Sequence, residues 1–114
     1  MIVWQKSLQL VKIIYKNTSC FPKEEMFGLT SQIRRSAISI PSNIAEGSGR
    51  GTDKELNHFL NIAQGSAFEL ETQIIIAFEL EFLTKEKFEI ISTNLEEIQR
   101  MISGFQKKLQ QTSS

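Results

Sequence analysis

At 114 residues the chain can build one hydrophobic core, so a single domain spanning 1–114 is expected. Its 13 Lys/Arg and 13 Asp/Glu cancel, its hydrophobic content of 40% is ordinary for a soluble domain, and its single cysteine, Cys20, excludes an intrachain disulfide and fits a reducing cytosol. No positively charged start with an apolar run appears at Met1–Lys12, and the greasiest tract, Ile74–Leu83, is ten residues interrupted by Glu79 and Glu81, against the roughly 20 that a membrane span needs. Neither a secretory signal nor a membrane anchor is expected, and a cytoplasmic location is.

Four helices are predicted. The first runs from about Val3 to Asn17, with Trp4, Leu8, Val11, Ile14 and Tyr15 at the spacing of a buried stripe. Asn17-Thr18-Ser19 breaks it. Phe21-Pro22-Lys23-Glu24-Glu25 reads as a short turn with Pro22 at a helical first position, Gly28 ends that turn, and Thr30 is the natural N-cap of the second helix.

In the second helix Ile33, Ala37, Ile40 and Ile44 share one face, and Leu29 joins their register. Pro41 removes the hydrogen bond to the carbonyl of Ala37, which predicts a kink within a continuous helix. Ile38 and Ala45 form a narrower apolar strip flanked by Arg34, while Arg35, Ser39, Ser42 and Glu46 make the polar face. Gly47-Ser48-Gly49-Arg50-Gly51 stops this helix, and Thr52 with Glu55 forms a capping box for the third.

The third helix is predicted from about Asp53 to Leu83, with Leu56, Leu60, Ala63, Ala67, Leu70, Ile74 and Ala77 at bundle-core rhythm. Thr84 caps the fourth, in which Phe88, Ile91, Leu95, Ile98, Ile102, Phe105 and Leu109 keep that rhythm before a frayed tail at 110–114. Short connections make neighbouring helices antiparallel. The fold class is all-α, an up-down-up-down four-helix bundle. The third helix carries more apolar surface than one bundle can bury, with Phe59, Ile62, Ile76 and Leu80 on one side of its core stripe and Phe68, Ile75 and Phe82 on the other. Such a surplus marks contact with another chain, and Phe59, Phe68, Ile75 and Phe82 are the interface candidates.

The chemistry-bearing residues are sparse. Gly47–Gly51 lacks both the spacing and the preceding strand of a phosphate loop, so it reads as a turn. His58 stands alone, Cys20 is far from it, and the Glu-x-x-His signature of di-iron bundles is missing, so no metal, no cofactor and no catalytic residue is expected. Arg34 is expected to lay its stem on the Ile38/Ala45 strip and pair with a carboxylate such as Glu69 or Glu71. Asn43 is expected to meet backbone groups freed by Pro41, and Glu46 to pair with a basic neighbour. Arg35, Arg50 and Lys54 are the candidates for contact with an anion or a nucleic-acid backbone. The halves of the chain differ, with seven basic and three acidic residues in 1–51 against six and ten in 52–114, an asymmetry that can steer one surface onto another.

QIRRSAISIPSNIAEGSGR at Gln32–Arg50, followed by FLNIAQGSAFELETQ at Phe59–Gln73, resembles the bacterial four-helix-bundle family encoded in intervening sequences of 23S ribosomal RNA genes. The resemblance spans nearly the whole chain, and its sharpest element is Ile40-Pro41-Ser42-Asn43-Ile44-Ala45-Glu46-Gly47. The family is similar in fold to the accessory variability protein of diversity-generating retroelements. The resemblance implies assembly into a cyclic pentamer, no established biochemical activity, and a mainly structural role for Arg34, Pro41, Asn43, Glu46 and Gly47. Two classes of function follow: an oligomeric scaffold or adaptor whose partner is itself or another protein, and an accessory factor that holds RNA or DNA phosphates through a repeated basic patch.

Overall fold

The computed structural model describes residues 1–113, with side chains described through Gln111. It contains α1 (Ile2–Thr18), a short 3-10 turn (Lys23–Glu25), α2 (Leu29–Ser48), α3 (Asp53–Glu79) and α4 (Lys85–Ser113), with no strand among the described residues. The helices form a rod of 48 × 24 × 19 Å in which α1–α2, α2–α3, α3–α4 and α4–α1 are neighbours around a square. Each neighbouring pair runs antiparallel. Ser36 meets Glu69 and Ser39 meets Ser66 across α2 and α3, so residue numbers rise on one helix as they fall on the other. Thr18 against Arg34 with Met1 against Ser48 says the same of α1 and α2. Gln64 against Gln99 with Asn61 against Gln106 says it of α3 and α4.

The core is a continuous apolar column. Ile33, Ala37, Ile40 and Ile44 of α2, Leu60, Ala63, Ala67, Leu70, Ile74 and Ala77 of α3, and Ile91, Leu95, Ile98, Ile102 and Leu109 of α4 are all buried, in the predicted registers. α2 continues through Pro41, whose ring is itself buried. Gly47 is the last buried residue of α2 and the point where the backbones of α2 and α3 close in. A Cβ built on it would lie 2.7 Å from the Cβ of Phe59 and 3.3 Å from the carbonyl of Leu56.

Several local expectations are corrected. The buried stripe of α1 is Val3, Ser7, Leu10, Ile14 and Thr18, while Trp4 and Tyr15 are exposed. Ser7 Oγ donates to the carbonyl of Trp4 at 2.7 Å and Thr18 Oγ1 to that of Ile14 at 2.8 Å. Hydroxyls bonded within their own helix in this way enter a core at little cost, and apolar spacing alone does not reveal them. Pro22 precedes the 3-10 turn in extended geometry (φ −55°, ψ 140°) rather than opening it. Gly28, not Thr30, stands at the N-cap of α2; the Glu25 carboxylate accepts from the Leu29 amide at 3.4 Å, and Thr30 is buried as the second residue of the helix.

α3 stops at Glu79, four residues before the predicted end. Glu81 adopts a left-handed conformation (φ 63°), the Phe82 amide donates to the Ala77 carbonyl and the Glu81 amide to that of Phe78, both at 2.9 Å. This is a Schellman closure with glutamate in the place glycine usually takes. Thr52 and Thr84 act as predicted, their hydroxyls accepting from the amides of Glu55 and Lys87 at 3.2 Å. α4 remains helical through Ser113, where a frayed tail was expected, and Ser114 lies outside the described residues.

Candidate interaction surfaces

Of the four interface candidates, two are held inside the subunit. The closure after α3 swings Phe82 back onto the bundle end, where its ring lies 5.6 Å from the buried ring of Phe21. Phe59 is half-buried beneath the guanidinium of Arg50, 5.1 Å from its centroid, and beside Gly47. Phe68 and Ile75 remain outside, with 53% and 45% of their surface exposed. They are seven residues apart on one face of α3. Phe68 forms one wall of a shallow depression with Gln99, Arg100 and Ser103 of α4, so this face looks outward from the α3–α4 side of the square.

A second apolar face lies on α1 and α2. Trp4 and Tyr15, left out of the core by the true register of α1, are exposed, and so are Ile38 and Ala45 of α2. Arg34 ties the two helices together there. Its Nε donates to Thr18 Oγ1 at 3.0 Å and its guanidinium carbon stands 4.5 Å from the centroid of the Tyr15 ring. The predicted carboxylate partner is therefore replaced by a hydroxyl and an aromatic face on α1. Glu69 is engaged elsewhere, accepting from Ser36 Oγ at 2.6 Å.

Phe27 is the largest departure from a closed surface. It sits in the turn before α2 with 94% of its surface exposed, and Met26 beside it is exposed too. Sequence reasoning missed both because they belong to no helical stripe; an aromatic flanked by Met26 and Gly28 outside any helix was the available signal.

The basic candidates do not converge. Arg50 is bound at 2.7 Å to Glu46, four residues earlier, and also stacks on Phe59. Lys54 is exposed in the first turn of α3 beside Asp53. Arg35 is exposed on α2, thirteen residues before the helix ends at Ser48 and so about 20 Å from that end along the axis, and Arg50 lies beyond it. Asn43 Nδ2 donates to the Ser39 carbonyl at 2.8 Å and to Ser39 Oγ at 3.0 Å; the Ala37 carbonyl freed by Pro41 is not its target. Ser39 in turn shares a hydrogen bond of 2.7 Å with Ser66, so Asn43 braces the α2–α3 seam. Among the described residues no group of three His, Cys, Asp or Glu side chains could hold a metal ion, and no helix is long and apolar enough to cross a membrane.

The model of a family described as 23S rRNA-intervening sequence protein matches residues 1–104. A crystal structure from Bacteroides thetaiotaomicron, of a protein of unknown function from the S23 ribosomal protein family, is similar over 93% of this chain and 96% of its own, with a TM-score of 0.84 and 29% identity. No functionally curated protein matches the chain. The chain belongs to the 23S rRNA-intervening sequence protein family.

Proposed function

We propose that this member of the family is a non-enzymatic, cytoplasmic bundle that assembles with copies of itself into a closed ring, five subunits by family resemblance, and acts as a scaffold or adaptor. The observation that carries this reading is the presence of two different apolar faces on opposite sides of one square bundle: Trp4, Tyr15 and Ile38 on α1–α2, and Phe68 and Ile75 on α3–α4. Contiguous exposed apolar surface on a small domain marks an interface. Two unlike patches on opposite sides favour a heterologous contact, each face of one copy meeting the other face of the next, and such contacts close into rings when the rotation allows. Multi-angle light scattering tests it. The expected mass is that of five 13.0 kDa subunits, falling to smaller species with Phe68→Asp while helicity is kept. A stable monomer at micromolar concentration overturns it.

The alternative reading, phosphate binding by a repeated basic patch, draws support from the exposed cations Arg35 and Lys54, while Arg50 is already paired with Glu46. Fivefold repetition would add avidity, and binding would weaken steeply with salt. A mobility shift with structured RNA at about 50 mM salt that disappears in an Arg35→Ala/Lys54→Ala variant supports this reading. No shift at that salt leaves the scaffold alone.

A further inference from the structure

We propose that the groove between α2 and α3 binds a small zwitterion, a free α-amino acid, in each subunit. The groove has a volume of about 330 Å³ and is lined by Gln32, Arg35, Ser36 and Ser39 of α2 and by Glu69 and Gln73 of α3. Three features of its lining point to a ligand that carries both charges.

Arg35 and Glu69 face the same groove with opposite charge and do not pair. Arg35 has no hydrogen bond or ion pair among the described residues, and Glu69 uses one carboxylate oxygen for Ser36 Oγ. Gln73 is only 9% exposed, and its side-chain carbonyl oxygen is buried with no donor. A buried acceptor left without a donor is costly to the fold, and here it lines a polar groove beside a carboxylate. Part of the wall is also fixed in advance. Ser36 is committed to Glu69 and Ser39 to Ser66 and Asn43, so the two serine hydroxyls and the Glu69 carboxylate are held in place before any ligand arrives.

The pattern of donors and acceptors selects the ligand. The Arg35 guanidinium offers the parallel N–H pair that suits a carboxylate. The second oxygen of Glu69 accepts, which suits an ammonium group with its three donors. The orphaned oxygen of Gln73, covered as its side chain stands, becomes a further acceptor when that side chain turns toward the ligand. An α-amino acid carries these two groups one carbon apart, so a single small molecule presents both charges to the same groove. A simple anion meets the repulsion of Glu69, and a simple cation that of Arg35. The volume stands at the low end of small-molecule sites, roughly 300–1,000 Å³, which accommodates an amino acid and excludes most of a nucleotide. The site is complete within one subunit, so it stands or falls independently of ring assembly.

Isothermal titration of the full-length protein with each common amino acid tests the proposal, with acetate, methylamine and inorganic phosphate as single-charge probes. Saturable binding by at least one amino acid is expected, with none by the three probes. Arg35→Ala and Gln73→Leu should each weaken it about tenfold or more. Arg35 is exposed and unpartnered and Gln73→Leu removes an orphaned polar atom, so both variants should fold, which circular dichroism checks. The proposal is overturned if no amino acid binds at about 10 mM. It is equally overturned if phosphate or acetate binds as well as the amino acid, which would make this a plain anion site, or if Arg35→Ala leaves binding unchanged.

Discussion

Gly47→Ala is the sharpest test of how this bundle is packed, because the same substitution elsewhere in its helices should act with the opposite sign. At Gly47 the new methyl carbon would stand 2.7 Å from Phe59 Cβ, 3.2 Å from Leu56 Cδ1 and 3.3 Å from the Leu56 carbonyl. The nearest atom is fixed to the backbone of α3, so relief requires α2 and α3 to separate. Overpacking of that kind costs about 1–3 kcal/mol, and a contact this short belongs at the upper end. Alanine returns about 1 kcal/mol through its better helix propensity. The net loss is about 2 kcal/mol, or a fall in Tm of about 8 °C for a chain of this size. At Gly65 and Gly104, also inside helices, an added Cβ meets nothing within 4 Å, so alanine there should raise stability by about 0.5–1 kcal/mol. Thermal melts of the three variants at one fixed concentration, which holds any assembly term constant, decide the matter. A Gly47→Ala protein as stable as the parent would refute the close α2–α3 approach. Destabilisation at Gly65 or Gly104 together with a lower mass would place that glycine in a contact between copies.

Other expectations follow from single contacts. Glu81→Gly should stabilise the fold by about 0.5–1 kcal/mol, because a left-handed non-glycine residue costs about 1–2 kcal/mol and glycine's extra unfolded-state freedom takes back part of the gain; a loss in urea denaturation contradicts the Schellman closure. Arg34→Ala should cost about 1–2 kcal/mol through the Thr18 hydrogen bond and the Tyr15 ring contact. Arg34→Lys should recover less than half, since an ammonium cannot make both contacts in that geometry, and an alanine variant within error of the parent in denaturant titrations removes Arg34 from the α1–α2 tie. Phe82→Asp should lower the melting temperature, whereas Phe68→Asp should alter the mass and leave the subunit's helicity intact; equal behaviour of the two would mean that Phe82 is not held against Phe21.

The sequence made most of this fold legible because three helices advertise their buried faces with unbroken aliphatic series. The registers of Ile33–Ile44, Leu60–Ala77 and Ile91–Leu109 follow directly from that periodicity. α1 was misread because its core positions include Ser7 and Thr18, which satisfy themselves on their own helix, while its more conspicuous Trp4 and Tyr15 face outward. The end of α3 was misread because the apolar run continues to Leu83 while the backbone reverses at Glu81, a residue that gives no glycine-like warning. The surplus of apolar surface on α3 was legible as a quantity but not as a location. Phe82 is consumed by the reversal, and Phe59 is consumed by Arg50 and Gly47.

The two segments that carry the family resemblance turn out to be the two sides of a single seam. Ser36, Ser39 and Gly47 of the first segment meet Glu69, Ser66 and Phe59 of the second, and Asn43 holds Ser39 from within its own helix. Small hydroxyl residues and a glycine allow two helices to approach closely, and hydrogen bonds between short side chains then fix their register at little cost in side-chain entropy. The specificity of the motif therefore has a packing explanation before any ligand is invoked: Ser39 and Asn43 set the seam, and Gly47 sets the separation at its end. What packing leaves unexplained in the same segments is Arg35, which is exposed and makes no hydrogen bond or ion pair among the described residues, and Gln73, whose carbonyl is buried without a donor. Those two line the groove between α2 and α3, and neither makes a side-chain hydrogen bond across the seam among the described residues. A substitution at Ser39 or Gly47 should therefore appear first in stability, and one at Arg35 or Gln73 first in binding.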